Sequence, residues 1–574
     1  METIEQFRER VSAALTDIGS GALSYDESEF WMYRSPYEYI DFYATEKRLF
    51  NTAIALQLSR GLHDGTHRKS SIMKDGVVCR LPYVIHPLLV CRMLLDMQVP
   101  LSKDEEDILL AAALCHDMIE DIPFPLHGTE LYTNYYLDKR VYDTVKKVSK
   151  RKDFTPEEEL AFFHVMEQDR LAVLVKLSDR GNNVEDLYNM SVSKVHEYAG
   201  ETIRLFLPMC AYAFEHYPEL SESIAILHDK IVSLTDLSVI LVDRYDRRER
   251  ELKVNVERLR RENAELRMLR SSVLLGNVSG STPIPSGDDI IPIPEEDSNS
   301  GKGEQSEHCE KDRPGCAEMF HQIESYAVSK NLSNTVLALP LLRAIIEEQA
   351  YPRCNVSGNR VQRHEYYRHA LSVCWILIKL QLPLKREDED VILSSALVHV
   401  IPELARFENG GEELVERFGL GRGVFDTVRL ITSRDATGIA GQSAYFARIQ
   451  ENRSALLVKL ADRGSLVEQL YSVSASEARE YINETKRYYL PMCVYGKEHY
   501  KEVYPEISVL MEKIRSLAAV TDILAARYQE REASLADEMF SLMEENSWIR
   551  DTVNAVLTAS QENARGQSRN NWPT

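Results

Sequence analysis

The chain has 574 residues, a formal net charge of −22 and an ordinary apolar content of 44%. This length predicts more than one domain, each with its own hydrophobic core. The negative charge disfavours nonspecific binding of nucleic acid or of anionic membranes, so an anionic substrate would need a local basic pocket. The nine cysteines show no Cys-x-x-Cys spacing, which argues against a zinc ribbon or a disulfide framework and favours the cytoplasm.

Segments typical of membrane or secreted proteins are missing from the sequence. No apolar run approaches the roughly 20 residues needed to span a bilayer. The start of the chain, Met1–Gln6, lacks the basic and long apolar regions of a signal peptide. No glycine-rich phosphate loop is present either. We therefore expect a cytoplasmic protein that has neither membrane nor nucleic-acid partners.

Two halves of the chain repeat one sequence pattern. The matching segments are Ala113–His116 with Ala396–His399, Val175–Gly181 with Val458–Gly464, and Leu207–Cys210 with Leu490–Cys493. Every residue lies 283 positions before its counterpart, and this offset already holds for Asn51 and Asn334. An offset that never changes predicts two copies of one domain with the same arrangement of helices.

Both copies are predicted to be helical almost throughout. Apolar residues recur at three- and four-residue spacing in segments such as 88–97, 108–119 and 222–242, and strand-like alternation is missing. We therefore expect an all-α fold of two tandem helical domains, each followed by a helical stalk. The predicted boundaries are 1–245 for the first domain, 246–273 for its stalk, 274–314 for a disordered acidic linker, 315–528 for the second domain, 529–558 for its stalk and 559–574 for a disordered tail.

The most informative stretch of the first copy runs from Leu114 to Asp121, at the end of an apolar segment that predicts a buried helix. On a helix, His116 and Glu120 share one face, and Asp117 and Asp121 share the next. All four side chains can then point into one cavity, where His and Asp would hold a divalent metal and the later carboxylates would take up the proton of a water. The alternative interpretation is a helix end with a solvated acidic cluster.

Further groups extend this stretch into a candidate site. His86 stands before a proline that favours a helix start, and Asp179 follows a short apolar segment. Together with His116 and Asp117 they would supply two imidazoles and two carboxylates. This mixed nitrogen and oxygen set suits manganese, iron or zinc better than calcium. The segment His63–Lys69 clusters basic groups that can meet phosphate or stack on a base.

Four short motifs follow one another in the first copy. They are His63, Gly65, Arg68 and Lys69; Tyr83, His86 and Pro87; His116, Asp117, Glu120 and Asp121; and Lys176, Leu177, Asp179, Arg180 and Asn183. In residue type, spacing and order they resemble the hydrolase region of the RelA/SpoT alarmone enzymes, an all-helical member of the HD metal-phosphohydrolase superfamily. The resemblance covers about residues 45–245 and, more weakly, the second copy. No synthetase motif and no regulatory module of the long alarmone enzymes is visible.

The resemblance implies a metal-dependent enzyme that removes pyrophosphate from the 3′ position of ppGpp or pppGpp, which are guanine-nucleotide alarmones. It also implies a role for each motif residue: His86, His116, Asp117 and Asp179 as metal ligands, Glu120 and Asp121 as the catalytic pair that activates water, and Arg68, Lys69 and Asn183 as nucleotide contacts. The expected cofactor is a divalent metal, with Mn²⁺ as the first choice.

Two departures from the family pattern bear on the nucleotide more than on the chemistry. Extra residues from Ser71 to Arg80 separate the basic pair from His86, and Asp186 replaces a small hydroxyl residue near the base. Two alternatives therefore stay open. One is a phosphohydrolase of another nucleotide, for example NADPH, which the animal small alarmone hydrolases accept. The other is a non-catalytic nucleotide-sensing scaffold.

The second copy keeps part of the metal set and loses the rest of the site. His369, His399 and Asp462 stand at the positions of three ligands, and Glu403 at that of Glu120. The replaced positions are Asp117 (Val400), Asp121 (Leu404), Arg68 (Tyr351), Lys69 (Pro352) and Asn183 (Leu466). We expect this copy to be catalytically inactive. The favoured interpretation makes its histidines core residues of a domain kept for packing or regulation, and weak metal binding is the alternative.

Each predicted stalk carries a heptad pattern. The seam positions are Leu252, Val256, Leu259, Asn263 and Leu266 in the first stalk and Leu535, Met539, Leu542, Asn546 and Ile549 in the second. A buried Asn that faces another Asn fixes register and parallel orientation. Parallel pairing would also join the charges of Glu262 with Arg550 and of Glu545 with Arg267. We therefore predict a parallel coiled coil between 252–273 and 535–556 within one chain. The alternatives are stalks that pack on their own domains, or a homodimer.

Overall fold

The computed structural model describes residues 2–19, 23–74, 77–151, 153–275, 315–347, 360–404, 412–432, 438–470, 473 and 475–569. Several predictions fall outside these residues, namely the linker from 276 to 314, Tyr351 and Pro352, and the tail from 570 onward. The backbone is described at Lys69, Glu403 and Leu404, but their side chains lie outside the description.

Helices follow one another along the first copy, interrupted by one β-hairpin. They are α1 (Ile4–Ile18), α2 (Phe30–Lys47), α3 (Phe50–Leu62), then β1 (His67–Lys74) and β2 (Val77–Pro82), then α4 (Ile85–Met97), α5 (Lys103–Cys115), α6 (Met118–Asp121), α7 (Glu130–Thr133), α8 (Lys139–Val148), α9 (Pro156–Met166), α10 (Arg170–Asn183), α11 (Val192–Glu201), α12 (Leu207–His216) and α13 (Ser221–Leu274). A 3₁₀ segment over Val184–Asn189 continues α10.

In the described part of the second copy, the helices repeat the order from α2 to α13. They are α14 (Cys316–Lys330), α15 (Ser333–Leu342), α16 (Arg360–Lys379), α17 (Arg386–Val398), α18 (Ile401–Leu404), α19 (Glu413–Glu416), α20 (Arg422–Thr432), α21 (Gly438–Gln450), α22 (Arg453–Val467), α23 (Ala475–Glu484), α24 (Leu490–His499) and α25 (Tyr504–Arg569). Even a π-helical turn recurs at the same offset, at Thr202–Phe206 and Thr485–Tyr489. The predicted all-α fold class is confirmed.

Local sequence explains where the helices that carry the candidate site begin. At the start of α5, the Ser102 side chain accepts the N–H of Glu105 while the Glu105 side chain accepts the N–H of Ser102, a capping box. At the start of α10, the Asp169 carboxylate accepts the N–H groups of Leu171 and Ala172. These caps set the start of both helices independently of the rest of the fold.

A buried carboxylate joins α5 to α3 in the core of the first copy. Asp107 accepts hydrogen bonds from the N–H groups of Asn51 (3.0 Å) and Thr52 (2.8 Å), at the start of α3. Asp390 makes the equivalent contacts in the second copy, at 2.9 and 2.8 Å. Because each carboxylate satisfies N–H groups that have no partner within their own helix, the two copies pack these helices in the same way.

Among the extra residues Ser71 to Arg80, those that the structure describes, 71–74 and 77–80, form most of an antiparallel β-hairpin, which pairs β1 with β2. The prediction that strands are missing is wrong in this segment. The available signal was Asp75-Gly76, a dipeptide typical of two-residue hairpin turns. Since β1 begins at His67, the hairpin carries Arg68 toward the candidate site.

The two copies pack on each other through α13 and α25. Their shared apolar contact contains pairs of counterparts from the two copies, such as Val184 with Val467, Leu234 with Leu517, and Leu241 with Leu524. Each stalk is the continuation of its domain's last helix, so neither predicted boundary, 245 or 528, interrupts the helix. The last helix also continues to Arg569, into the tail for which the sequence predicts disorder.

The stalks pair in parallel within the chain, as the heptads predict. Val256 and Leu259 pack with Met539, and Leu266 packs with Ile549. The Arg267 guanidinium donates to Glu545 at 2.7 Å, which is one of the two predicted charge pairs.

The two seam asparagines make polar contacts across the coiled coil. Asn263 is 1% exposed and donates to the carbonyl of Leu542 at 2.8 Å. Asn546 donates to Glu262 at 3.4 Å and accepts from Arg550 at 2.6 Å. The second predicted charge pair, Glu262 with Arg550, is therefore linked through Asn546.

No helix in the described ranges combines the length and the apolarity needed to cross a bilayer. Seven cysteines fall in those ranges, and all of them have free thiols. The cytoplasmic location stays a prediction.

Candidate metal centre

The four predicted metal ligands come from three parts of the first copy. His86 lies in the first turn of α4, which begins one residue earlier, as the following proline predicts. The helix α5 ends at Cys115, and His116 and Asp117 form the break before α6. Asp179 lies near the end of α10. The continuous helix expected over 108–119 is therefore interrupted at the ligands.

The ligand atoms of these four side chains converge. Nε2 of His86 lies 3.2 Å from Nε2 of His116 and 3.2 Å from Oδ1 of Asp179. Nε2 of His116 lies 3.6 Å from the same oxygen. Oxygens of Asp117 lie 3.4 Å from Nε2 of His86 and 3.2 Å from Nε2 of His116. The structure thus brings together all four predicted ligands; His86, His116 and Asp179 are buried, and the Asp117 side chain is 17% exposed.

Neighbouring groups fix the direction of both imidazoles. Nδ1 of His116 donates to the carbonyl of Ala113 at 2.8 Å. Nδ1 of His86 lies 2.7 Å from Oδ1 of Asn182, which accepts its proton. Because Nδ1 of each ring is the donor to these groups, Nε2 of each ring is the atom that faces the site and can bind a metal.

Both carboxylates are held as well. The Tyr83 hydroxyl donates to Oδ2 of Asp117 at 2.7 Å. Nζ of Lys176 donates to Oδ2 of Asp179 at 3.1 Å. Oδ1 of Asp179 is then left to face the imidazoles, so each ligand has a support on the side away from the site.

This donor set fits a divalent metal ion. Two Nε2 lone pairs at 3.2 Å repel each other unless a cation or a proton lies between them, and two imidazoles with carboxylates suit manganese, iron or zinc. Burial lowers the pKa of His116, but the carboxylates of Asp117 and Asp179 outweigh it and raise that pKa well above its usual value. Burial raises the pKa of Asp117, but His116 and His86 hold it far below normal. The two carboxylates therefore favour a positive charge beside them, carried by a proton or by a metal ion.

Glu120 lies beside the ligands and Asp121 at the rim. Oε1 of Glu120 accepts the N–H of Lys150 at 2.5 Å. Burial raises the pKa of Glu120, while the nearby Lys176 amine opposes the increase. Asp121 is exposed, and its charge contributes to the raised pKa of Tyr83, after burial and Asp117. The two carboxylates are thus near the ligands but in different environments.

Arg68 reaches the candidate site from the hairpin. Its guanidinium forms a salt bridge with Asp186 at 2.7 Å and lies 3.3 Å from Oδ1 of Asn183 and 3.4 Å from Oδ1 of Asn182. The amide nitrogen of Asn183 donates to Asp179 at 2.6 Å. The two described residues predicted to contact nucleotide are therefore in contact with each other, and Asp186 holds the arginine.

Sequence reasoning assigned no role to the residues that support the ligands. Tyr83 and Lys176 belong to the quoted motifs, so a signal for them was present. Asn182 stands next to Asn183, and the sequence does not say which of the two faces His86. That choice depends on how α10 packs against α4.

Three candidate ligands also converge in the second copy. Nε2 of His369 lies 3.0 Å from Oδ1 of Asp462, and Nε2 of His399 lies 3.9 Å from the same oxygen. Val400 is buried at the position of Asp117. Burial lowers the pKa of His399 to about 4, so this imidazole is neutral near pH 7.

Curated relatives match part of the chain. The chain is 29% identical over 172 residues to a guanosine-3′,5′-bis(diphosphate) 3′-pyrophosphohydrolase of Vibrio cholerae. This alignment covers 29% of the chain and 22% of the relative. The chain is 28% identical over 187 residues to the bifunctional (p)ppGpp synthase/hydrolase SpoT of Escherichia coli, covering 31% and 24%. It is 32% identical over 160 residues to a GTP pyrophosphokinase of Myxococcus xanthus, covering 26% and 19%. No protein-family model and no solved structure matches the chain.

The chain spans about a fifth to a quarter of the length of these curated relatives. Their names include hydrolases and synthases of the same nucleotide, so the property they share is ppGpp metabolism. The matched part of this chain is similar to proteins of the RelA/SpoT type, and the names of these relatives concern ppGpp metabolism.

Proposed function

We propose that the first copy is a metal-dependent hydrolase that removes pyrophosphate from the 3′ position of ppGpp and pppGpp, with Mn²⁺ as its ion. The observation that carries this proposal is the convergence of both Nε2 atoms on the carboxylates of Asp117 and Asp179. Relatives named 3′-pyrophosphohydrolase support the choice of substrate. We further propose that the chain has no synthetase activity and that the second copy does not hydrolyse the alarmone.

Arg68 binds phosphate in this proposal, together with Lys69. A protein of net charge −22 repels a polyphosphate, so a cation beside the carboxylates is needed to bring it close. The Arg68 side chain is 13% exposed, and a partly buried guanidinium binds phosphate more strongly than an exposed one. Phosphate must compete with Asp186 for this group.

The chain's own groups position the reactants and move the proton. A divalent ion on the four ligands would neutralise phosphate charge and make water easier to deprotonate. Glu120 accepts the proton of the attacking water, because burial makes it a stronger base than an exposed carboxylate. The water oxygen bonds to the phosphorus attached to O3′, and the bond from that phosphorus to O3′ breaks. The proton taken up by Glu120 then passes to O3′ as this bond breaks, and Asp121, at the rim, assists Glu120 in activating the water.

A panel of nucleotides tests the proposal. Chelator-treated protein reloaded with Mn²⁺ is incubated with ppGpp, pppGpp or NADPH, and separately with GTP and ATP. We expect pyrophosphate with GDP or GTP from the alarmones, and no pppGpp from GTP and ATP. Phosphate released only from NADPH would favour the other-nucleotide alternative, and no turnover of any substrate would favour a scaffold.

A matched pair of histidine variants links the activity to the site. His116→Ala should abolish hydrolysis because it removes a ligand. His164→Ala, whose side chain is 61% exposed on α9, should leave the rate unchanged. Equal activity of the two variants would reject the assignment of the site.

A further inference from the structure

We propose that the second copy holds a divalent metal ion of its own, on His369, His399 and Asp462, without performing hydrolysis. One ligand atom from each residue lies within 4.8 Å of the others. This proposal reverses the interpretation of the two histidines as core residues. It is independent of the function proposed for the first copy.

The imidazoles of the second copy have the same relative orientation as those of the first. The rings of His369 and His399 have centroids 5.4 Å apart and planes at 67°. The first copy has 5.0 Å and 66° for the equivalent rings. The distance from Nε2 of His369 to Oδ1 of Asp462 is 3.0 Å, compared with 3.2 Å for its equivalent. Both rings therefore direct Nε2 toward one carboxylate oxygen, as the equivalent rings of the first copy do.

The supports behind these ligands are retained too. Nδ1 of His399 donates to the carbonyl of Ala396 at 2.7 Å, and Nζ of Lys459 donates to Oδ2 of Asp462 at 2.6 Å. Nδ1 of His369 lies 3.2 Å from the hydroxyl of Ser465, which replaces Asn182. Buried polar groups need hydrogen-bond partners in any case, and here the partners also hold the imidazoles and the carboxylate in the orientation that a metal ligand needs.

The second copy loses groups of three kinds, namely one ligand, the outer catalytic carboxylate and the nucleotide contacts. Val400, 2% exposed, removes the fourth ligand, and Leu466 removes the amide of Asn183. Two imidazoles and one carboxylate still form a recognised metal-binding set with open positions. We therefore expect weaker binding than in the first copy, and no reaction.

The three ligands line a cavity of about 1300 Å³, which a core histidine would not. The described lining carries five carboxylates and three cationic groups: Glu365, Asp462, Glu477, Glu480 and Glu484, and Lys459, Arg463 and Arg487. This balance attracts a cation and opposes a polyphosphate. The ligand class that fits the cavity is a divalent cation rather than the alarmone.

Ion counting on the full chain tests the proposal. Chelator-treated protein is dialysed against Mn²⁺ alone, and bound ion is measured by mass spectrometry and electron paramagnetic resonance. The variant pairs remove both imidazoles of one copy: His86→Ala with His116→Ala, or His369→Ala with His399→Ala. We expect two ions in the wild type, one in either pair and none when both pairs are combined.

The first pair leaves the proposed site untouched, so it gives a direct reading even if the second pair fails to fold. The Mn²⁺ that remains bound in this variant should show magnetic coupling to two imidazole nitrogens, those of His369 and His399. Val400→Asp, which restores the fourth ligand, should tighten this ion about tenfold or more. A wild type that binds one ion and loses it with the first pair would overturn the proposal while leaving the proposed function intact. One ion lost only with the second pair would support this site and reject the first.

Discussion

The ring of Tyr245 stacks on the ring of Tyr528, with centroids 4.6 Å apart and planes 13° apart. These two residues are counterparts, 283 positions apart in the chain. A residue meets its own counterpart only on a two-fold axis, because that axis exchanges the two positions. The copies are therefore related by a pseudo-two-fold axis that passes between α13 and α25.

Ion pairs repeat the same symmetry. Lys230 contacts Glu185 of its own copy at 2.7 Å and Glu512 of the other copy at 2.9 Å. Its counterpart Lys513 makes the two equivalent contacts, both at 2.5 Å. Glu185 also accepts from Asn182 at 3.5 Å, the residue that holds His86. One chain thus reproduces the interface of a symmetric dimer and connects it to the candidate site.

Cysteines at 263 and 546 should form a disulfide within one chain, since both positions lie in the seam of the parallel coiled coil and each asparagine contacts the opposite helix. The test introduces Asn263→Cys with Asn546→Cys and a protease site near residue 295, and then asks whether the cut halves stay joined without reductant. As a control, Val254→Cys, 68% exposed on the outer face, should not link to position 546. A linked species of twice the 65.8 kDa chain mass would instead indicate a homodimer.

Lys230→Met should destabilise the protein by about 2 kcal/mol, because it removes a buried cation shared by Glu185 and Glu512 and leaves them with Arg515 as the cation in contact with both. The Lys230 side chain is 7% exposed, so water cannot replace the lost contacts. Lys253→Met removes a helix ion pair whose lysine is 60% exposed, and it should change stability by less than about 0.5 kcal/mol. Urea unfolding of both variants gives the comparison, and equal midpoints would contradict the buried role of Lys230.

Glu120→Gln should lower the hydrolysis rate by about 10²–10⁴-fold while leaving Mn²⁺ affinity within about threefold. The amide keeps the shape of the side chain but does not accept a proton. Rate and ion affinity are measured on the same preparation. Glu157→Gln, on the exposed side of α9, serves as the control and should change neither quantity. Loss of the ion in Glu120→Gln would make this residue a ligand instead of a base.

Asp186→Asn should lower KM for the alarmone by about fivefold with little change in kcat. This change corresponds to about 1 kcal/mol of binding free energy, because phosphate no longer competes with the Asp186 carboxylate. The substitution frees the Arg68 guanidinium, now paired at 2.7 Å, for phosphate. Asp143→Asn removes an exposed carboxylate of α8 paired with Lys139, and KM should not respond. A higher KM for Asp186→Asn would mean that the carboxylate positions Arg68 rather than competing for it.

Metal binding to the first copy should release about one proton at pH 7, and affinity should rise with pH. Asp117 and Asp179 raise the pKa of His116 against the effect of burial, so the ion-free imidazole is protonated below that raised pKa and must lose its proton to bind. Calorimetry in buffers of different ionisation enthalpy counts the protons, in the variant that lacks His369 and His399. Binding that releases no proton and is insensitive to pH would contradict this account.

Sequence reasoning found the candidate ligands because the information is local. His116 and Asp117 are adjacent, His86 stands before a proline, and the repeat offset identifies their counterparts without a structure. The hairpin was not predicted, although Asp75-Gly76 is typical of a hairpin turn, because the residues around it show no clear strand-like alternation. Sequence reasoning also expected disorder from residue 559, where α25 continues to Arg569.

The sequence by itself determined the two copies, the residue types of both sites and the coiled-coil seam, since periodicity and spacing along one helix are properties of the local chain. Only the tertiary structure decided that Asn182 rather than Asn183 supports His86, that Asp186 holds Arg68, and that the second copy's histidines line a cavity. These contacts join residues about a hundred positions apart. Their geometry depends on how whole helices pack, and no short segment contains that information.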